Sequence, residues 1–122
     1  MEEQSDLNRR RLSVHILPQA SHDLADIVDH IAIDSLNAAH RMRERIMARI
    51  DQIAEHPGRG KPAQIPGLEE RGIRFAGEGK YHIYYRADEQ ELLVFHVFHS
   101  ARNITALHFS FKEKQKKEEE KI

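Results

Sequence analysis

From Leu12 to Leu17 the chain alternates apolar and polar positions and then meets Pro18, the mark of a short strand at a sheet edge. Beyond Ser21 the period lengthens. Leu24, Ile27, Val28 and Ile31 fall at i, i+3, i+4 and i+7, one stripe of an amphipathic helix. Asp23 and Asp26 then occupy its expected first turn, where the helix dipole favours negative charge. The stripe breaks at Asp34-Ser35, and Ser35 has the chemistry of a second N-cap. A second stripe follows through Ala39, Met42, Ile46, Ile50 and Ile53, backed by Arg41, Glu44, Arg45 and Asp51, until His56-Pro57-Gly58 stops it. Two helices with almost no linker predict an αα-hairpin.

Residues 57–79 hold all 6 glycines of the chain and read as loop, with one strand near Gly72-Ile-Arg-Phe75. Tyr81–Arg86 and Leu92–Phe98 flank the polar turn Ala87-Asp-Glu-Gln90, a β-hairpin. An even-length turn places Tyr81, Ile83 and Tyr85 on one face with Leu92, Val94 and His96. His82, Tyr84 and Arg86 then share the other with Leu93, Phe95 and Val97; an odd-length turn exchanges the pairings. The predicted order is β-α-α-β-β-β. This is an α+β fold of two layers, an antiparallel sheet of about four strands with the αα-hairpin packed on one face.

The two ends differ from this middle. Residues 1–11 contain Leu7 as their one large apolar side chain after Met1 and read as a flexible arm; residues 112–122, KEKQKKEEEKI, read as a charged C-terminal tail. The expected domain is 12–111. With 122 residues the chain has room for one core, and no stretch approaches a membrane span or a secretory leader. Cysteine is absent, which excludes disulfides and thiolate chemistry, and a cytoplasmic location is expected. A formal net charge of −1 argues against a partner held mainly through phosphate neutralisation.

The 9 histidines invite a metal site, but their spacing refuses one. His96 and His99 lie in a strand and point to opposite faces; His22 and His30 are two helical turns apart, ~12 Å along the axis. Ser100 lacks a nucleophile elbow, Gly58-Arg-Gly60-Lys61 follows a helix where a phosphate loop opens one, and Glu69-Glu70 sit in a polar loop. No catalytic signature, metal or cofactor is expected. Bases and aromatics do gather in the second half: Arg59, Lys61, Arg71, Arg74, Lys80, Arg86 and Arg102, with Tyr81, Tyr84, Tyr85 and His99. Such a set can stack on rings, hold phosphates or move protons. Its bland alternative is a solvated strand face, with His99 and Arg102 fastening the last strand to the loop at 72–79.

Ser35-Leu-Asn-Ala-Ala-His-Arg41 resembles the start of the second helix in ParE-like toxins. The next stretches follow in the same order: Ile53-Ala-Glu-His-Pro57, Gly60-Lys-Pro62, Ile65-Pro-Gly-Leu68, Tyr81-His-Ile-Tyr-Tyr-Arg86, and Val94-Phe-His-Val-Phe-His99-Ser-Ala-Arg102-Asn. Together they cover about residues 13–107 and resemble the RelE/ParE superfamily of toxins from type II toxin–antitoxin systems. Leu36 stands where that pattern has proline, and the chain beyond Leu107 is longer than is usual there.

The resemblance implies a toxin neutralised by direct binding of a cognate antitoxin, whose segment folds along the helices, with Leu24, Ile27, Ile31, Met42, Ile46 and Ile50 as contact candidates. Operator DNA is met only through the antitoxin, in a toxin–antitoxin hetero-oligomer. ParE-type members poison DNA gyrase, whereas RelE-type members cleave mRNA on the ribosome. The absence of a Gly-Lys-Arg run after the last strand, and of any tyrosine after Tyr85, favours the gyrase branch. Arg74, Tyr84, Arg86, His99 and Arg102 are the target-contact candidates. On the RNase alternative, Arg74, Arg86 and Arg102 would hold phosphate, with His99 or a tyrosine as acid/base. A homologue that only binds an antitoxin-like partner, without toxicity, is the third reading.

Overall fold

The computed structural model describes residues 11–111. Strand β1 spans Ser13–Ile16, and α1 spans Pro18–Ala32. The helix therefore starts at Pro18, ahead of Ser21: proline at N1 gives up an N–H that has no intrahelical acceptor there. Asp23 consequently lies in the second turn and serves the sheet instead of the helix dipole. Helix α2 spans Leu36–Glu55, and Ser35 caps it as expected, its hydroxyl accepting from the Ala38 N–H at 3.1 Å. Arg11, assigned to the flexible arm by composition, is pinned to α2 through Asp51 (3.1 Å) and Glu55 (3.4 Å). Residues 1–10 and the charged tail at 112–122 lie outside the described residues.

The remaining strands are β2 at Lys61–Pro62, β3 at Arg74–Glu78, β4 at Tyr81–Ala87 and β5 at Glu91–His99. Their spatial order is β1-β5-β4-β3-β2. The sheet is mixed, because β1 runs parallel to β5 while all the other pairs are antiparallel. Both helices and strands β2 to β4 separate β1 from β5 in the chain, so no tight turn forces them antiparallel, and alternation in β1 alone does not encode the relation. β3 begins at Arg74, two residues later than the pattern suggests. Gly72 (φ 79°) ends a 3₁₀ turn at Glu69–Arg71 in a left-handed conformation, and Ile73 then turns into the core.

The even register holds near the turn, where Tyr85 pairs with Val94 and Ala87 with Leu92. A bulge then inserts Phe95, so Tyr84 faces His96, Ile83 faces Val97 and Tyr81 faces His99. His96 thereby joins Tyr84 instead of Tyr81, Ile83 and Tyr85, and Val97 moves to the opposite side from the one a regular ladder gives it. Both faces are filled. On the inner face Leu24, Ile46, Ile50 and Ile53 of the helices pack against Ile83, Tyr85, Leu92, Val94 and Val97. On the outer face Tyr84, Phe95 and Phe98 are covered by Ala63, Leu68 and Ile73 from the loop and by Phe109 from the last described segment. The sheet thus has helices on one side and irregular chain on the other.

Candidate functional site

The helix side carries an open groove of about 370 Å³, where β1, α1 and α2 meet. Ile16, Leu24, Ala25, Val28 and Met47 line it, and Asp29 and Arg43 stand among them with opposite charges. Of the six residues proposed from sequence for antitoxin contact, Leu24, Ile46 and Ile50 are buried in the chain's own core, and Ile27 and Met42 are partly buried against it. Leu24, Ile46 and Ile50 thus help close the fold, Ile31 is half-buried, and only Leu24 of the six lines the groove. Ile16, Val28 and Met47 are the half-buried apolar residues left accessible there.

The five target-contact candidates separate. Arg74 faces the helix side with its cross-strand partner Tyr85, and its Nη2 donates to the carbonyls of Gly58 (3.1 Å) and Gly60. Its Nε is buried without a partner. Tyr85 donates its hydroxyl to the Pro57 carbonyl at 2.6 Å, and a Cβ at Gly60 would press on that hydroxyl and on the Phe75 carbonyl. Arg74, Tyr85 and Gly60 therefore fasten the turn after α2 to the sheet. His99 lies across from Tyr81, edge to face at 5.6 Å, and its Nδ1 accepts from the Ala101 N–H at 3.0 Å. The Arg102 N–H donates to the His99 carbonyl, so these two residues shape the turn after β5; the tie towards the 72–79 side is made by Ser100, whose N–H donates to Lys80.

Tyr84, Arg86 and Arg102 do share the outer face. Tyr84 is 6% exposed among Phe75, His82, Phe98 and Phe109, and burial pushes its phenol above the ordinary tyrosine range. Arg102 stacks 4.4 Å over Phe98. Arg86 lies 5.4 Å from the Phe95 ring and 5.8 Å from that of Phe111, which Arg71 covers at 4.2 Å. Burial lowers the Arg86 pKa, the Arg71 charge lowers it further, and Asp88 opposes both. Burial, then the His99 charge, lowers the pKa of His82 in the same way.

Sequence patterning missed two contacts. Asp23 reaches from α1 to the edge of β5 beyond the end of β1: its Oδ2 accepts from the Val97 N–H (3.0 Å) and lies 2.7 Å from His96 Nδ1. Phe109 and Phe111 return to the sheet, and their i, i+2 spacing was the available signal. Among the described residues no group of three histidines or carboxylates converges as a metal site, and no helix is long and apolar enough to cross a membrane.

The geometry defines an architecture first: a helical hairpin packed on a mixed five-stranded sheet. The model of the ParE toxin of type II toxin–antitoxin systems matches residues 14–104. The chain belongs to that family. Among solved structures it is similar to the chromosomal ParDE toxin–antitoxin system of P. aeruginosa, with 18% identity, a TM-score of 0.62, and coverage of 74% of this chain and 97% of that one. It is also similar to the toxin–antitoxin complex RelBE2 from Mycobacterium tuberculosis, with 23% identity, a TM-score of 0.50, and coverage of 73% and 98%. No curated protein matches.

Proposed function

We propose that the chain is the toxin of a type II pair, neutralised by a cognate antitoxin and acting on DNA gyrase, or a related topoisomerase, by protein–protein contact. Family membership carries the first half, and the two similar solved structures described above are of toxin–antitoxin systems. The groove supports it physically: apolar walls from β1, α1 and α2 with Asp29 and Arg43 among them suit one face of an amphipathic segment that orders on binding.

The dispersion of the candidate site carries the second half. General acid–base chemistry on RNA requires a proton carrier and charge-stabilising groups within reach of one scissile bond. Here Arg74 is engaged with loop carbonyls on one side of the sheet, the Tyr84 phenol is buried and resists ionisation on the other, and His99 Nδ1 accepts from the turn. A contact surface built from Arg86 and Arg102 needs no such convergence. Induction should arrest growth, and co-expression of the neighbouring antitoxin gene should restore it. Purified protein should inhibit gyrase supercoiling and leave mRNA intact in a translating extract. Cleaved mRNA with unaffected supercoiling would overturn the gyrase half; normal growth on induction without an antitoxin would favour the binding-only homologue.

A further inference from the structure

The family match ends at residue 104. The chain that follows lies outside the matched range, yet it is closely engaged with the fold. Phe109 is 8% exposed, with ring centroids 5.0 Å from His96, 5.6 Å from Tyr84 and 6.3 Å from both Phe95 and Phe98. Two residues on, Phe111 packs at 5.2 Å on Phe95 beneath the Arg71 guanidinium. The intervening turn at Ala106–His108 is held by its own bonds: Thr105 caps it, His108 bonds back to Thr105, and Phe109 donates to Ala106. Its crest, Leu107, is 94% exposed.

We propose that the outer face of the sheet is a receptor for an extended segment with aromatic residues at alternate positions, and that Phe109-Ser110-Phe111 fills it in cis as an exchangeable cover. The occupant defines the ligand chemistry. In extended chain, residues i and i+2 point the same way, so two rings two residues apart drop onto the Tyr84, Phe95 and Phe98 surface together. Arg71, Arg86 and Arg102 stand over Phe111, Phe95 and Phe98 as cations at the margins, and Arg71 and Arg86 repel one another. A competing segment in trans is thus aromatic-x-aromatic with acidic flanks, supplied by a protein partner. Tyr84 and Arg86 lie against the cover, which links occupancy of this face to two of the target-contact candidates, although the binding claim does not depend on the toxin reading.

The test uses the full chain. A labelled peptide of residues 103–112 is titrated against the wild-type protein and against Phe109→Ala/Phe111→Ala. A tethered segment competes at an effective concentration of order mM, so the variant should bind the peptide at least ~10-fold more tightly than the wild type. A peptide with both phenylalanines replaced by alanine should not bind, and adding glutamates to the flanks should tighten binding whereas lysines weaken it. A folded variant that ignores the peptide, or a wild type that binds it equally well, overturns the proposal. If the double variant does not fold, recovery of its native circular dichroism on adding peptide supports the proposal, and failure to recover makes the segment an integral part of the core and overturns it. Hydrogen exchange on the wild-type chain is the second measurement. Amides of residues 105–109 should exchange at least ~10-fold faster than those of Val94 and Val97, by local opening; equal protection would sink the idea.

Discussion

On the inner face of the sheet, Ile46 and Ile50 present aliphatic side chains from consecutive turns of a regular helix to Ile83, Leu92, Val94 and Val97. On the outer face, Tyr84, Phe95 and Phe98 are covered by loop residues and by Phe109, and neither Leu68 nor Phe109 belongs to a strand or an α-helix. The inner layer is held by hydrogen bonds along two helices as well as by packing, so removing one side chain leaves a gap its neighbours cannot easily fill. The outer cover is irregular chain without that scaffold, and it is expected to relax around a gap. The same substitution in the two regions should therefore cost different amounts. Ile50→Ala should lose about 2–5 kcal/mol, with the urea midpoint falling at unchanged slope. Ile73→Ala, as deeply buried in the outer cluster, should lose less, about 2 kcal/mol. Equal losses would break the contrast and make the outer cover as rigid as the helical layer.

The same contrast explains what was legible in the sequence. Helical period revealed the inner layer: the stripe from Ala39 to Ile53 and the cap at Ser35 are read directly, because each side chain's direction follows from its position in a regular element. It does not identify what lies against the stripe. A run of apolar residues announces that something covers it, not whether the cover is the chain's own sheet or another protein, and Leu24, Ile46 and Ile50 are buried against the chain's own sheet. The outer face obeys no period. The bulge at Phe95 exchanges the faces of every later residue in β5, and Phe109 reaches Tyr84 from 25 positions away through irregular chain. The candidate site was legible as a set of residue types, and its partition between two faces was not, since Arg74 and Arg86 differ only in where their strands turn them.

Asp23 joins the two regions, leaving the inner helical layer to hold the β5 edge beside outer-face His96. Asp23→Asn keeps an acceptor for the Val97 N–H but gives up the charged acceptor for His96, and should cost about 1 kcal/mol. Asp23→Ala removes both contacts and bares the Val97 N–H at the edge, so that variant should self-associate more readily than the wild type in sedimentation. A variant with unchanged stability and no self-association would show that packing alone holds α1 to β5.

A smaller effect on stability, with a larger one on function, is expected at the outer margin. Arg102 is exposed and stacked on Phe98, and Arg102→Ala should cost no more than about 1 kcal/mol. If the outer margin meets the target, growth arrest on induction should be lost while the melting temperature and antitoxin binding stay near wild type. Retained arrest would move target contact to the helix side, and an unfolded variant would make the residue structural.

The shallowest prediction concerns pH. His82 lies on the outer face, its ring 4.7 Å from that of Phe75, and burial first and the His99 charge second lower its pKa below 6.5. The folded state therefore resists protonation that the unfolded chain accepts. Stability from this residue is fully present above pH 6.5 and declines as pH falls through the lowered folded value. Because His82 is only partly buried, the decline should be smaller than any effect above, and His82→Gln should flatten it in urea titrations between pH 7 and pH 5. His99→Gln removes only the secondary cause, so it should leave most of the slope. If instead His99→Gln abolished the slope, charge repulsion across β4 and β5 would outweigh burial, and the outer face would be wetter than its ring contacts imply.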